Sequence, residues 1–138
     1  MTPHLAIAAI RVMTVDDHPM LRDGLASAIE AQPDMRLVAE AEDGRAAVDA
    51  FRLHRPDVTL MDVRMRDMDG IAALELIRQE FPAARIVMLS SYSTDAQVLK
   101  ALKSVAGGCL LKEALRKERF DAIRLVQRGG RRIAAELA

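Results

Sequence analysis

The sequence predicts an α/β fold in which helices cover both faces of a parallel β-sheet. Short apolar runs alternate along the chain with longer segments that carry apolar residues at helical spacing, and this alternation is typical of successive βα units. The runs are almost wholly apolar, as expected for strands that are buried on both faces. Since crossovers between parallel strands are right-handed, five such units give a three-layer arrangement within the 138 residues.

Five strands are predicted from the apolar runs and from the residues that interrupt them. Pro33-Asp34 break the chain before the second run, and Gly107-Gly108 precede the last one. The predicted strands lie near residues 10–15, 36–40, 58–62, 85–89 and 109–112.

Five helices are predicted from the signals at their ends. Pro19 suits the first turn of a helix, Asp43-Gly44 form a turn and a candidate N-cap, and the second helix stops before Pro56. Phe81-Pro82 end the third helix, Thr94-Asp95 begin the fourth, and glycine pairs end the last two. The apolar residues at helical spacing are Leu21, Leu25, Ala28, Ile29, Ala47, Val48, Phe51, Ile71, Leu74, Ile77, Val98, Leu99, Leu102, Phe120, Ile123 and Val126.

The composition of the chain argues against several classes of protein. Twenty basic and twenty acidic residues cancel, so no overall field draws the chain to nucleic acid or to a membrane. Cys109 is the single cysteine, which excludes an internal disulfide and a metal–thiolate cluster. Residues 1–9 are mildly apolar but lack a basic segment and are too short to span a bilayer. We interpret them as a loose extension before one domain over residues 10–130, and we expect a cytoplasmic protein.

Polar residues follow four of the predicted strands directly. Asp16-Asp17 follow the first strand, Asp62 ends the third, Ser90 follows the fourth, and Lys112 follows the fifth. Ligands of open α/β sheets bind at the carboxyl ends of the strands. We therefore predict a pocket that gathers three carboxylates, a hydroxyl and an ammonium group.

Charge indicates what this pocket binds. Three neighbouring carboxylates need a counter-charge, because like charges raise one another's pKa. Carboxylates with waters and a carbonyl suit Mg²⁺, whereas His4, His18 and His54 are too scattered for a zinc site. A nucleophilic carboxylate beside Mg²⁺, lysine and a hydroxyl is suited to holding a transferring phosphoryl group.

Each residue alone also has a structural interpretation. A strand-end aspartate is more often an N-cap, and His18 reads as a solvated neighbour of such a cap. The methionines Met61, Met65 and Met68 read as core or loop filling. Only the order Asp-Asp, Asp, Ser and Lys on four strand ends indicates a site.

These motifs resemble the receiver domain of two-component response regulators over residues Ile10 to Gly130. Residues 22–25 and 41–44 are similar to the NarL/FixJ branch, whose members usually carry a LuxR-type DNA-binding domain. The segments that carry the resemblance are Val15-Asp16-Asp17-His18-Pro19, Leu60-Met61-Asp62-Val63-Arg64-Met65, Met68-Asp69-Gly70, Leu89-Ser90 and Leu110-Leu111-Lys112.

The resemblance implies a flavodoxin-like (βα)5 fold with strand order 2-1-3-4-5. It implies that Asp62 is the phosphoacceptor, Ser90 the switch hydroxyl and Lys112 the ion-pairing lysine. The implied Mg²⁺ ligands are Asp16, Asp17, Asp62 and the backbone carbonyl of Arg64.

Three positions depart from the family pattern. Arg66 replaces a common proline four residues after the phosphoacceptor, and Cys109 replaces an aromatic residue that takes part in switching. Glu113 stands where many receivers have a cis-proline, and a cis bond without proline costs about 2.5–4 kcal/mol. The Lys112–Glu113 bond is therefore open to either a trans or a strained cis geometry.

The resemblance also implies partners. A sensor histidine kinase would phosphorylate the chain, which would catalyse only its own phosphorylation and dephosphorylation. Residues 131–138 resemble the start of a linker to a LuxR-type domain that is missing from this chain, so DNA would be bound only through that domain. The alternatives are a stand-alone receiver or a phosphorylation-independent interaction module. A phosphohydrolase is disfavoured, because Arg64 stands where that class usually has a second aspartate.

Phosphorylation is expected to promote homodimerisation. One candidate surface is formed by the helices near Leu21–Ile29 and Phe120–Val126, with flanking Arg22, Lys117 and Arg124 making the contact. The other surface lies near residues 98–112. Since Cys109 replaces the switch aromatic there, we favour the first surface.

Overall fold

The computed structural model describes residues 9–65, 68–90, 107–112, 114 and 116–133. Strands and helices alternate along the described chain. The strands are β1 (Ile10–Val15), β2 (Met35–Ala41), β3 (Val58–Asp62), β4 (Ile86–Ser90), β5 (Gly108–Leu111) and β6 (Arg132–Ile133). The helices are α1 (Pro19–Glu30), α2 (Gly44–His54), α3 (Gly70–Glu80) and α4 (Arg116–Gln127).

All strand pairs of the sheet are parallel, and the strand order is β2-β1-β3-β4-β5-β6. The predicted flavodoxin-like fold and its 2-1-3-4-5 order are confirmed. The sheet has one strand more than predicted, because Arg132 pairs with Gly108 and Ile133 with Cys109 at the β5 edge. Because β6 has only two residues and one of them is charged, it contains no apolar run from which the strand could be predicted.

The core lies along the central strands, as the apolar runs predict. Every residue of β3, β4 and β5 is buried, and Cys109 is fully enclosed in β5. The largest fully buried side chains are those of Met13, Ile29, Leu60, Met61, Leu74, Ile77, Ile86, Met88, Leu110, Ile123 and Val12. The predicted methionine Met61 is thus a core residue, whereas Met65 and Met68 pack against the core from the loop after β3.

The helix ends follow the predicted signals. Pro19 lies in the first turn of α1, and the Asp43 carboxylate caps α2 by accepting a hydrogen bond from the Ala46 N–H at 2.8 Å. Leu21, one of the apolar residues at helical spacing, is 55% exposed, since the buried residues of α1 are Ala28 and Ile29 in its second half.

The predicted helix that begins at Thr94-Asp95 lies outside the described residues. So do Arg66 and Glu113, and with Glu113 the geometry of its peptide bond with Lys112. In the described part of the chain, each helix is too short or too polar to cross a membrane.

Candidate functional site

The carboxyl ends of β1 and β3 bring the three predicted carboxylates together. Val15 pairs with Met61 in the two adjacent strands, so that Asp16-Asp17 and Asp62 emerge side by side. One ligand atom from each of Asp16, Asp17, His18 and Asp62 lies within 4.8 Å of the others. The structure thus places the acidic residues where the strand-end argument predicts them.

Lys112 contacts the most buried of these carboxylates. Its Nζ lies 2.7 Å from Asp62 Oδ2, and the side chain of Asp62 is 2% exposed, against 28% for Lys112. The backbone N–H of Lys112 donates to the Ser90 carbonyl at 2.7 Å. Arg119 of α4 donates to the Lys112 carbonyl. The strand end that carries the ammonium group is therefore held from two sides.

Three carboxylates lie near this one lysine. Burial and the neighbouring charges together shift the pKa of Asp62 and the pKa of Lys112. Burial raises the pKa of Asp62 above its usual range, Lys112 opposes the rise, and the charges of Asp16 and Asp17 add to it. Burial alone would lower the pKa of Lys112, but the contact with Asp62 and the two further carboxylates raise it. A bound cation would relieve this imbalance.

A cavity of about 170 Å³ opens at this edge of the sheet. Its lining includes Asp62, Val63, Arg64, Leu89 and Lys112. Such a volume admits a phosphoryl group directly at the Asp62 carboxylate. Arg64 is exposed at the rim.

Ser90 lies next to this cavity in the sheet. It is the last residue of β4 and is buried, and it follows Leu89, which pairs with Asp62. The predicted hydroxyl is therefore placed on the strand adjacent to the phosphoacceptor candidate.

His18 belongs to the cluster, although the sequence indicated only a solvated residue beside a cap. Its Nδ1 lies 2.8 Å from Asp16 Oδ1 and 3.0 Å from Asp17 Oδ1. The side chain occupies the N-cap position of α1 but makes no capping hydrogen bond. Its position directly after two aspartates was the signal that could have identified it.

The loop after β3 is held close to Asp62 by a glycine. The Gly70 N–H donates to the Val63 carbonyl at 2.9 Å. A Cβ at this position would lie 2.0 Å from the Asp62 carbonyl oxygen. Only glycine allows α3 to begin this near to the backbone of Asp62.

The cluster has the donor set of a divalent-cation site. Asp17 Oδ1 and Asp62 Oδ2 are buried oxygens that accept no hydrogen bond of good geometry within the described chain, although His18 and Lys112 lie close to them. Buried carboxylate oxygens suit Mg²⁺, which prefers oxygen ligands. The acidic residues therefore fit a divalent cation. That the Arg64 carbonyl also binds this cation stays a prediction.

Comparison with known proteins identifies the family. Residues 12–124 match the response regulator receiver domain, and the chain belongs to this family. It is 40% identical over 129 residues to the transcriptional regulatory protein LiaR of Bacillus subtilis, which covers 94% of the chain and 61% of LiaR. It is 37% identical over 120 residues to the response regulator VraR of Staphylococcus aureus, with 87% and 57% covered. The chain thus spans about three-fifths of the length of these relatives.

Solved structures agree. A LuxR-family two-component response regulator from Aurantimonas superposes with a TM-score of 0.86 at 35% identity, covering 94% of this chain and 93% of that one. The receiver domain of NarL from Mycobacterium tuberculosis gives a TM-score of 0.80 at 36% identity, with 89% and 99% covered. The chain is thus a receiver domain of the LuxR/NarL type, as its motifs indicated.

Proposed function

We propose that this chain is a phosphorylatable switch in which Asp62 accepts a phosphoryl group from a phosphohistidine of a sensor kinase. The observation that carries the proposal is the placement of Asp62. Its carboxylate is buried, touches Lys112 and opens into a cavity of phosphoryl size.

In the proposed transfer, an Asp62 oxygen attacks the phosphorus in line with the bond to the histidine nitrogen. The P–O bond forms, the P–N bond breaks, and the imidazole leaves with the electron pair and takes up a proton. Lys112 is already within ion-pair distance of Asp62, so its ammonium group can move to a phosphoryl oxygen with little displacement. Ser90 would donate its hydroxyl to a second oxygen.

Asp16, Asp17, Asp62 and the Arg64 carbonyl would hold Mg²⁺, which supplies charge neutralisation for the phosphoryl oxygens. Lysine alone leaves two carboxylates of the cluster without a counter-charge. We therefore expect transfer to depend on a divalent cation.

The test is to incubate the protein with Mg²⁺ and acetyl phosphate and then to measure its intact mass. We expect the mass to increase by one phosphoryl group. No increase is expected when the cation is chelated before the incubation, or in the Asp62→Asn protein. Asp57→Asn is the matched control, because Asp57 lies just before the opposite end of β3 and its replacement should leave labelling intact. A phosphorylated Asp62→Asn protein would sink the assignment.

The output of the switch is proposed from the relatives, which are regulators longer than this chain. Phosphorylation would favour a homodimer in the cytoplasm, and the dimer would set two LuxR-type output domains on adjacent DNA half-sites. We favour the α1–α4 surface for this contact. On it, Lys117 is 86% exposed and pairs with Asp121 at 3.2 Å within its own helix, whereas Arg124 is bound to Asp34 at 2.7 Å and to Gln32 at 2.8 Å.

Sedimentation with and without beryllofluoride, a phosphoryl mimic, tests the dimer. Lys117→Glu should weaken it, and Lys103→Glu, at the alternative surface outside the described residues, should not. The reverse result would move the contact to that surface, and monomers in both states at high concentration would refute dimerisation by this fragment.

A further inference from the structure

We propose that His18 is a nitrogen ligand of the cation site and biases that site towards first-row transition ions such as Mn²⁺ and Co²⁺. The inference rests on the proposed metal site at Asp16, Asp17 and Asp62. It adds a donor of a different chemical kind, which decides which cation the receiver domain prefers.

The distances place the imidazole at ligand spacing. His18 Nδ1 is hydrogen-bonded to Asp16 Oδ1 at 2.8 Å and lies 3.0 Å from Asp17 Oδ1. Neighbouring ligands of an octahedral ion with bonds of about 2.1 Å are about 3.0 Å apart, and opposite ligands about 4.2 Å. Since the four candidate ligand atoms lie within 4.8 Å of one another, a small contraction would bring all of them onto one ion.

The local backbone holds the ring in this position. The His18 N–H donates to Asp16 Oδ1 at 2.7 Å, and the residue is extended, with φ −106° and ψ 103°. Pro19 follows as the first residue of α1, and a proline restricts the backbone of the residue before it, here His18, to extended conformations. The ring has no capping role that would draw it away, and it is 55% exposed, so an ion can reach it.

The chemistry of the donors then sets the preference. Mg²⁺ prefers oxygen and accepts imidazole poorly, whereas imidazole suits transition ions, with affinity rising from Mn²⁺ to Co²⁺ and Ni²⁺. A site of carboxylates and a carbonyl would show only the shallow preference of oxygen ligands. One imidazole within reach adds affinity for Co²⁺ and Mn²⁺ that Mg²⁺ does not share.

A competing role for the same ring makes the opposite prediction. If the imidazole only donates to the two carboxylates in place of the cation, its removal should strengthen the binding of every divalent ion. If it is a ligand, its removal should weaken the binding of transition ions selectively.

The test is calorimetric titration of the whole chain with MgCl₂, MnCl₂ and CoCl₂. Wild type is compared with His18→Ala and with His54→Ala, which removes a histidine at the end of α2. Since loss of a group that merely orients a ligand costs about 10–100-fold in metal affinity, we expect His18→Ala to weaken Co²⁺ binding by at least about tenfold. Mg²⁺ binding should change by much less, and the visible Co²⁺ spectrum should shift because a nitrogen ligand is lost.

Equal changes for Mg²⁺ and Co²⁺ in His18→Ala, tighter binding of all three ions, or an unchanged Co²⁺ spectrum would overturn the role of His18 while leaving the metal site standing. A wild-type protein that binds none of the ions would overturn the metal site itself. Selective loss of Co²⁺ binding in His54→Ala instead of His18→Ala would assign the nitrogen ligand to a different place and overturn the proposal.

Discussion

The amino and carboxyl ends of the parallel strands differ in how completely their charged groups are paired. At the amino edge, where the strands begin, the Arg11 side chain donates to the carbonyls of His54 at 2.6 Å and Arg55 at 2.7 Å. The Arg11 N–H donates to Asp57 Oδ2 at 2.9 Å. These contacts tie the end of α2 to β1 and to the start of β3.

Further charged groups of the amino edge also have partners. The Arg55 guanidinium lies 4.2 Å from the centre of the Phe81 ring, and Phe81 packs on Phe51 with ring centres 5.1 Å apart. Arg52 pairs with Glu80 at 2.9 Å between α2 and α3. Attraction and packing therefore act together at this edge.

The carboxyl edge is arranged differently. Three carboxylates face one lysine there, two buried oxygens accept no good hydrogen bond in the described structure, and burial raises the pKa of Asp62. Such an arrangement costs folding free energy and creates binding capacity, because a cation or phosphoryl group can satisfy it. The amino edge thus stabilises the fold, and the carboxyl edge is available for chemistry.

The largest expected effect is at the amino edge. Phe51→Ala removes a buried ring that packs on Phe81, and it should lower the free energy of unfolding by about 3–5 kcal/mol. Urea denaturation measures this loss. Leu53→Ala, on the exposed side of the same helix, is the control and should change stability by less than about 0.5 kcal/mol. Equal losses in both variants would contradict the packing assigned to this edge.

A glycine substitution tests the support of the carboxyl edge. In Gly70→Ala the new Cβ would meet the Asp62 carbonyl oxygen, so the backbone must shift at a cost of about 1–3 kcal/mol. Since Asp62 moves with it, phosphorylation by acetyl phosphate should also slow. Gly24→Ala, within α1 and with open space around it, should instead gain about 0.5–1 kcal/mol. A Gly70→Ala protein of wild-type stability and rate would disprove the close approach.

Arg64 at the cavity rim should protect the phosphorylated state. Arg64 lines the cavity next to Asp62, and we expect its bulky side chain to hinder the attack of water on the acyl phosphate. The phosphorylated Arg64→Ala protein should therefore hydrolyse a few times faster, equivalent to about 0.5–1 kcal/mol in the barrier. Decay of the phosphorylated mass with time gives the rate, with exposed Arg36→Ala as the control. We expect a bulky side chain at Tyr92, two residues beyond Ser90, to shield the phosphoryl group in the same way, although Tyr92 lies outside the described residues. Unchanged decay in both Arg64→Ala and Tyr92→Ala would refute shielding.

The smallest effect concerns pH. Hydrogen bonds from Arg124 hold the pKa of Asp34 below its usual range. A carboxyl with a lowered folded pKa stabilises the protein above its unfolded pKa of about 3.9 and loses that contribution as the pH falls through the folded value. Because the pair is partly exposed, Asp34→Asn should cost less than about 1 kcal/mol near neutral pH and nothing in strong acid.

Urea denaturation at several pH values measures this effect, with exposed Asp23→Asn as the control. A cost for Asp34→Asn that persists below the folded pKa would contradict the ion pair.

The contribution of Asp62 to stability should depend on pH in the opposite direction when no divalent cation is present. Its raised pKa makes its contribution largest in acid and diminishes it as the pH rises through the folded value.

The sequence predicted local features of the fold better than contacts between residues that are far apart in the chain. Strand ends, the Asp43 cap and the gathering of Asp16, Asp17 and Asp62 follow from local patterns, because apolar runs and capping residues act over a few positions. The β6 pairing depends on contact with a distant edge strand. The contacts of Arg124 with Asp34 and Gln32 likewise join residues far apart in sequence, which a local pattern does not encode.

The site shows the same limit. Asp62, Ser90 and Lys112 were predicted because each ends or directly follows an apolar run. His18 follows a strand end by three residues, and its role depends on how the loop turns the ring back to the two aspartates. Exposure of Leu21 was likewise decided by which half of α1 packs on the sheet. Local periodicity carries no information on either point.

The most direct test of the contrast compares Asp62→Asn with Asp57→Asn by urea unfolding, with and without Mg²⁺. Without Mg²⁺, Asp57→Asn should lose about 1 kcal/mol, because its charge-assisted bond to the Arg11 N–H weakens. Asp62→Asn should be as stable as wild type or more stable, since a buried excess charge is removed. Addition of Mg²⁺ should then stabilise wild type and Asp57→Asn but have little effect on Asp62→Asn. If Asp62→Asn instead lost stability without Mg²⁺ and gained as much from the cation as wild type, the carboxyl edge would not be the functional edge.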